Sequence, residues 1–450
     1  MRYLTIAIVV CLATVVAAEE MAVTVYNAGI GVVSEERALE FEKGTNRLAF
    51  KDVPAKIDAG SVRFELVDGS DRVGILEQNY AFDLVRPEKV YARYIDQEIE
   101  MIDKDGRAYT GVLLSSNSGS VILRDFNDRI KLVRMDNIAE VSFPKLPEGL
   151  ITRPTLFWLY NSKHEGSLST RVSYQTAGLS WAAEYVGVLD ADEKRLGLSG
   201  WAQIDNTSGK TYQDAKLKLI AGDISRAQPQ RSRMYSQPME KFSVAGADAA
   251  GFDEKAFFEY HMYTLPRKAT LADNEKKQIS LFDPAETGVE KLFTYRPDRN
   301  PTEVEVAIRF TNSEKDGLGM PLPAGRVRLF KADDDGSLVL LGEDLLYHTP
   351  RDEEITMKVG KAFDIVGEYR QMKENVISSR VVERQFQIEL RNRKDTQEKV
   401  LVEKAMYGDW DVVESTQPHK RKDARTLQFE LTVPARTTLT LDFTVRFTSR

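Results

Sequence analysis

After the first twenty residues, apolar and polar positions alternate with a period of two, and short runs of Gly, Asn and Asp interrupt the alternation. Val23, Val25 and Val33 begin the pattern; Leu39 with Phe41, Leu48 with Phe50, and Val62, Phe64 and Leu66 continue it. A segment of this kind buries one face and wets the other, so the pattern predicts half-buried strands. Lys43-Gly44-Thr45-Asn46 and Asp68-Gly69-Ser70 are turn signals at close spacing, which predicts sandwiches or barrels rather than strands alternating with helices. No later stretch carries a long helical period, and no internal repeat is visible.

The predicted fold class is all-β: several antiparallel, immunoglobulin-like β-sandwich domains with a small barrel of the SH3 or Sm kind inserted. An N-terminal β domain is expected over 19–94. Five short strands follow, at Ile99–Ile102, Ala108–Leu114, Val121–Leu123, Ile130–Val133 and Ile138–Val141, and are expected to close into the small barrel at 95–149. Asp103-Lys104-Asp105-Gly106 and Asn117-Ser118-Gly119 supply its tight turns. A central β-sandwich region is expected over 150–226 and a C-terminal one over 257–450. Between them, 227–256 is rich in Pro, Arg and small residues and poor in apolar ones, so a flexible loop is expected there.

The N-terminus changes the picture. Met1-Arg2 is followed by an apolar run through Val16, then Ala17-Ala18 and Glu19-Glu20. A basic start, a short apolar stretch and small residues at its end predict a cleavable export signal at 1–18, cut after Ala18. The run falls short of the roughly 20 apolar residues that a membrane-spanning helix needs. Ile8-Val9-Val10 before Cys11 does not fit the pattern of acylated cysteines. Cys11 is the single cysteine, so the mature chain is expected to have neither disulfides nor thiol chemistry. Losing Arg2 with the leader takes the formal net charge from −7 to −8. Both signs are interleaved along the chain, which argues against nucleic acid as a partner. No later run is long and apolar enough to cross a membrane. The expected location is the periplasm or the exterior.

Several separated stretches, in this order, carry a resemblance. They are Tyr174–Tyr185, Gly200–Lys210 and Leu219-Ile220-Ala221-Gly222-Asp223, then Glu259–Leu265 and Lys277–Phe282, and further on Leu341-Gly342-Glu343-Asp344 and Gly360–Asp364. Together they resemble the bacterial family of domain of unknown function 4139 over about 150–450. Distant relatives carry the label of mucoidy-inhibitor-like proteins. Those have a different N-terminal half with a coiled coil between the halves. Residues 95–145 show no heptads, so that role is not carried over.

Candidate chemistry is sparse. Glu259 and His261 would share one face of a strand, where a carboxylate orients an imidazole for acid–base work; the bland alternative puts Tyr260 and Met262 in the core. Asp333-Asp334-Asp335-Gly336 resembles a calcium loop, but its twelfth position is Asp344, not Glu, so a hairpin turn is the better reading. Asn206-Thr207-Ser208-Gly209 reads as a hairpin tip. Tyr260, Trp201 and Asn206 are the candidate binding residues. The four tryptophans would form a sugar-stacking platform if exposed, but large rings in strands belong more often to the core. The histidines show no recurrent spacing, so no metal site is expected, and no motif calls for a cofactor.

The expected function is that of an exported, non-enzymatic β-rich module of the bacterial cell envelope, for binding or structure. Its partner would be an envelope protein, a glycan or a second copy of the chain. Two alternatives stand beside it. One is an envelope hydrolase acting on glycan or peptide; the other is a carbohydrate-binding module.

Overall fold

The computed structural model describes residues 20–81, 87–117, 119–144, 152–222, 253–257 and 260–449. The protein is almost entirely β, as the alternation predicts. The expected leader lies outside the described residues. The chain divides into two compact units. The first comprises Met1–Ser180, Asp205–Lys218 and Arg267–Lys276, and the second Trp181–Ile204, Leu219–Pro266 and Lys277–Arg450.

The first unit opens with β1 (Glu20–Tyr26), β2 (Ile30–Phe41), β3 (Gly44–Lys51), β4 (Ile57–Leu66) and β5 (Val73–Ala81). A seven-residue helix α1 (Pro87–Arg93) follows, then β6 (Glu98–Asp103), β7 (Ala108–Ser116), β8 (Ser120–Arg124), β9 (Ile130–Arg134) and β10 (Ile138–Ser142). β11 (Thr155–Ser162) and β12 (Gly166–Ala177) return to the first strands. One sheet runs β1-β2-β12-β4 and another β3-β11-β5. Phe41, Leu66, Val73, Tyr160 and Leu168, drawn from both sheets, pack into one core.

The five strands β6–β10 form where the sequence places them, but not as a barrel. Their order is β10-β6-β7-β8-β9, antiparallel throughout, and β9 does not bond to β10. The helix α1 packs on the sheet at β7. Tyr91 of α1 and Tyr94 just after it join Ile99, Met101, Leu113 and Val133 in the core, and Phe143 packs on both tyrosine rings at 5.4 and 4.9 Å. Sequence periodicity misses a helix of two turns.

The remaining strands are β13 (Leu179–Leu189), β14 (Arg195–Asn206), β15 (Tyr212–Ala221), β16 (Asp253–Phe257), β17 (Tyr260–Thr264), β18 (Ala269–Leu271) and β19 (Glu275–Gly288). Then come β20 (Glu290–Tyr295), β21 (Glu303–Thr311), β22 (Gly325–Ala332), β23 (Leu338–Leu346), β24 (Glu354–Ser378) and β25 (Val381–Asn392). The last are β26 (Glu398–Ala405), β27 (Asp409–Ser415), β28 (Lys420–Asp423), β29 (Thr426–Val433) and β30 (Thr438–Thr448). Asp253–Phe257 lies in the stretch expected as a loop, yet it pairs antiparallel with β17; the rest of that stretch is outside the described residues.

In the second unit, one sheet has the order β19-β14-β13-β22-β23. A nine-stranded sheet runs β27-β30-β25-β24-β21-β20-β26-β29-β28. β29 and β30 stand near opposite ends of that order, yet the rings of Phe429 and Phe443 are 5.1 Å apart. The sheet therefore folds over on itself, and its halves share a core of Phe293, Tyr295, Ile388, Phe429 and Phe443 among others. Pairing departs from purely antiparallel at β13–β22 and β20–β26, both parallel. Long connections separate both pairs, as parallel pairing requires.

Candidate binding site

The residues singled out from sequence do not come together. Glu259 lies outside the described residues. His261 and Tyr260 sit half-buried on β17, opposite Ala256 and Phe257. The buried residue of that strand is Tyr263, which shares the parity of His261; Tyr260 and Met262 are not the core pair. Tyr263 donates its hydroxyl to the Pro321 carbonyl at 3.0 Å and meets Trp181 edge-on at 6.0 Å. Tyr260 instead covers the backbone of Gly222. A Cβ there would lie 2.6 Å from the Tyr260 ring, and Gly222 holds φ +133°, so only glycine fits.

Trp158, Trp181 and Trp410 are buried, and each donates its indole N–H: to Gln78 Oε1 at 2.7 Å, to Ile220 O at 3.0 Å and to Ala424 O at 2.9 Å. Trp201 departs from the core reading and is 39% exposed.

Asn206 is not at a hairpin tip. β14 and β15 lie in different sheets, and the connection crosses between them. The side chain is buried. Its amide donates to the carbonyls of Lys210 (2.8 Å), Leu271 and Ala272 (3.0 Å each), and its oxygen accepts from the amide and hydroxyl of Ser208. With donors and acceptor so engaged, Asn206 clamps the connection rather than offering itself to a ligand.

A buried ionic cluster escaped sequence reasoning. Glu35 takes an inward position of β2, in step with Val33. Its carboxylate accepts from Tyr174 Oη at 2.8 Å, from Arg37 Nε and Nη2 at 3.0 and 2.6 Å, and from Lys210 Nζ at 3.1 Å to each oxygen. Burial alone would raise the Glu35 carboxyl, but the charges of Lys210 and Arg37 hold it below the usual range. Burial pulls the Lys210 ammonium down while Glu35 counteracts. Burial, with the Glu35 carboxylate alongside, pushes the Tyr174 phenol well up. The signal available was a carboxylate at a core-parity position.

A concave surface with mixed polar and apolar walls lies where β23 leaves β24. Asp333 to Gly336 turn the chain from β22 into β23, with Gly336 donating to Asp333 O at 2.9 Å, so the hairpin reading holds. Midway along β23, a Cβ at Gly342 would overlap the Val359 carbonyl oxygen. Asp344 Oδ2 accepts from the Lys358 amide at 2.7 Å, which fixes the two strands side by side. Beyond that bond they diverge. The opening is a groove of about 450 Å³ lined by Leu345, Tyr347, Ile355 and Met357 together with Asp344, Glu353, Glu354 and Lys358. Ile355 and Met357 are buried, whereas Leu345 is exposed and Tyr347 is 78% exposed. Leu338, Val339 and Leu340 at the other end of β23 are exposed as well.

The profile of domain of unknown function DUF4139 matches residues 170–449. The chain belongs to the DUF4139 family. The profile of the N-terminal domain of unknown function DUF4140 matches residues 23–118, a part of the chain where sequence reading found no resemblance. No curated protein matches the chain with significance. Within the DUF4139 region, the motif positions quoted from the sequence have physical roles. Gly178 sits at φ +83° against the Thr207 carbonyl, and Asn206 and Lys210 are buried. Gly342 admits β24, Glu343 pairs with Arg328 at 2.8 Å, and Asp344 pins Lys358. Among the described residues, no group of His, Cys, Asp and Glu is placed to hold a metal, and no helix is long and apolar enough to cross a membrane.

Proposed function

We propose that this DUF4139 protein is exported to the cell envelope and acts as a non-enzymatic binding module, receiving an extended apolar segment of a partner protein along β23 and in the groove it shares with β24. One observation carries the reading: Leu338, Val339, Leu340, Leu345 and Tyr347 all stand in solvent on one strand and the loop after it. Exposed apolar side chains along a strand, two of them lining a concave surface, mark an interaction site. Three acids against one lysine in the groove, with Asp333–Asp335 at the far end of β23, favour a partner with basic residues flanking its apolar positions. A photo-crosslinker placed at Tyr347 in cells tests the proposal. One stoichiometric adduct, absent when the crosslinker sits at exposed Lys420, is expected; no adduct at Tyr347 would remove the reading.

A second reading is favoured by Trp201 alone, since an exposed indole offers a face for a sugar ring. Titration with envelope glycans, read by Trp201 fluorescence, separates the two.

A further inference from the structure

We propose that the small sheet β6–β10 joins a second copy of the chain head to tail, with the outer edge of β9 receiving the outer edge of β10 from the next molecule. The site differs from the β23–β24 groove. The open sheet has two ends, and among the described residues neither β9 nor β10 has a strand partner on its outer side. A free edge is a template for further pairing unless it is blunted. β9 is not blunted. Ile130 and Leu132, on its face opposite the buried Val133, are 60% and 66% exposed, and Phe126 in the turn before it is 75% exposed.

Charge decides which edge meets which. At the β9 end, Arg129 and Lys131 share the carboxylate of Asp125, at 3.5 and 3.3 Å, and exposed Asp128 in the same turn brings that group to balance. Arg124, opposite Ile130 in the ladder, adds a cation that forms no ion pair with a described residue. At the β10 end, Glu140 and, opposite Ser142, Glu100 of β6 are exposed, and neither pairs with a described cation. Two β9 edges brought together would set cation against cation, and two β10 edges acids against acids. A β9 edge on a β10 edge sets that cation against acids and covers Ile130 and Leu132. Such a contact is heterologous, so it propagates into a ring or an open chain rather than closing as a two-fold dimer.

The test uses the full chain in sedimentation velocity over a concentration series. The wild type is expected to form species larger than a dimer, and added salt is expected to shift them toward monomer. Ile130→Lys with Leu132→Lys blocks the β9 edge, and Glu140→Lys with Ala139→Lys blocks the β10 edge; all four positions are exposed on the strands, so the fold should persist by circular dichroism. Each blocked variant alone is expected to be monomeric at concentrations where the wild type assembles. The β9-blocked and β10-blocked variants keep complementary edges, so mixing them should give a one-to-one heterodimer and nothing larger. A monomeric wild type, a wild-type dimer indifferent to both sets of changes, or no complex on mixing would each overturn the proposal.

Discussion

Asn206 and Asn392 make the same set of hydrogen bonds from the ends of two different strands. Each amide donates to the carbonyl four residues on, Lys210 or Thr396, at 2.8 Å. Each also donates to two consecutive carbonyls of a distant turn, Leu271 and Ala272 or Val433 and Pro434. Each side-chain oxygen accepts from the amide two residues on, Ser208 or Lys394. Two residues beyond each distant pair stands a residue with positive φ, Asn274 at 58° or Arg436 at 55°. The chain thus uses one loop clamp twice. No repeat shows in the sequence because an asparagine and a turn carry the likeness, and the strands around them share only alternation.

Removing either clamp strands several buried polar groups at once. Asn206→Ala and Asn392→Ala should each lower unfolding stability by about 3 kcal/mol, since an unsatisfied buried group costs about 1–3 kcal/mol. Urea titration followed by circular dichroism checks this. Asn→Asp at either site should cost at least as much, because a carboxylate would face carbonyl oxygens.

Lys210 and Glu35 should behave as a coupled pair. Glu35→Leu leaves the Lys210 ammonium buried without its carboxylate, and breaking a buried ion pair from one side costs about 3–5 kcal/mol. The double change Lys210→Met with Glu35→Leu removes the stranded ammonium and should recover part of that loss, Arg37 and the Tyr174 hydroxyl still lacking their carboxylate. The pair also predicts a pH dependence. The Glu35 carboxyl is held below its ordinary value of 4.5 in the folded state. Its contribution is therefore present above that value and is lost as pH falls through the lower, folded value. Stability measured from neutral pH into this acid range should fall with a component that the double variant lacks.

Gly342→Ala tests the approach of β23 to β24. The added methyl meets the Val359 carbonyl oxygen, and overpacking of this kind costs about 1–3 kcal/mol. The Asp344–Lys358 bond should loosen with it, so partner capture at Tyr347 should weaken in the same variant while the remaining fold persists.

Export is testable by mass. If the leader is cut after Ala18, the protein recovered from the envelope fraction begins at Glu19 and contains no cysteine. Intact mass spectrometry should show no thiol labelling of that species; a full-length mass or a labelled Cys11 would refute it.

Most strands were legible because one sheet face is buried at a time, and alternation records that directly. The hairpin at Asp333–Gly336 was legible because its turn chemistry is local. Glu35 was legible in principle, since its position keeps step with Val23, Val25 and Val33, but a carboxylate there makes sense only once Lys210, 175 residues away along the chain, is seen to reach it. The open end of the small sheet was not legible, because the alternation within each strand does not record whether β9 and β10 pair. The groove was hidden for the same reason: Gly342 and Val359 lie on separate strands, and neither residue alone announces a close approach.

Trp201 could have been placed outside from its own strand. In Arg195–Asn206 the buried positions include Leu196, Leu198, Ala202 and Ile204, all of even number, so Trp201 falls on the opposite face. Its indole should therefore be the quenchable one of the four. Iodide, which does not enter the core, should quench a minority of the total emission, and the quenched component should be red-shifted relative to the rest. Trp201→Phe should abolish that component and leave the emission of Trp158, Trp181 and Trp410 unchanged. Stability should change little, since an exposed strand position tolerates another aromatic ring. A quenchable fraction that survives Trp201→Phe would mean that one of the three buried indoles reaches solvent.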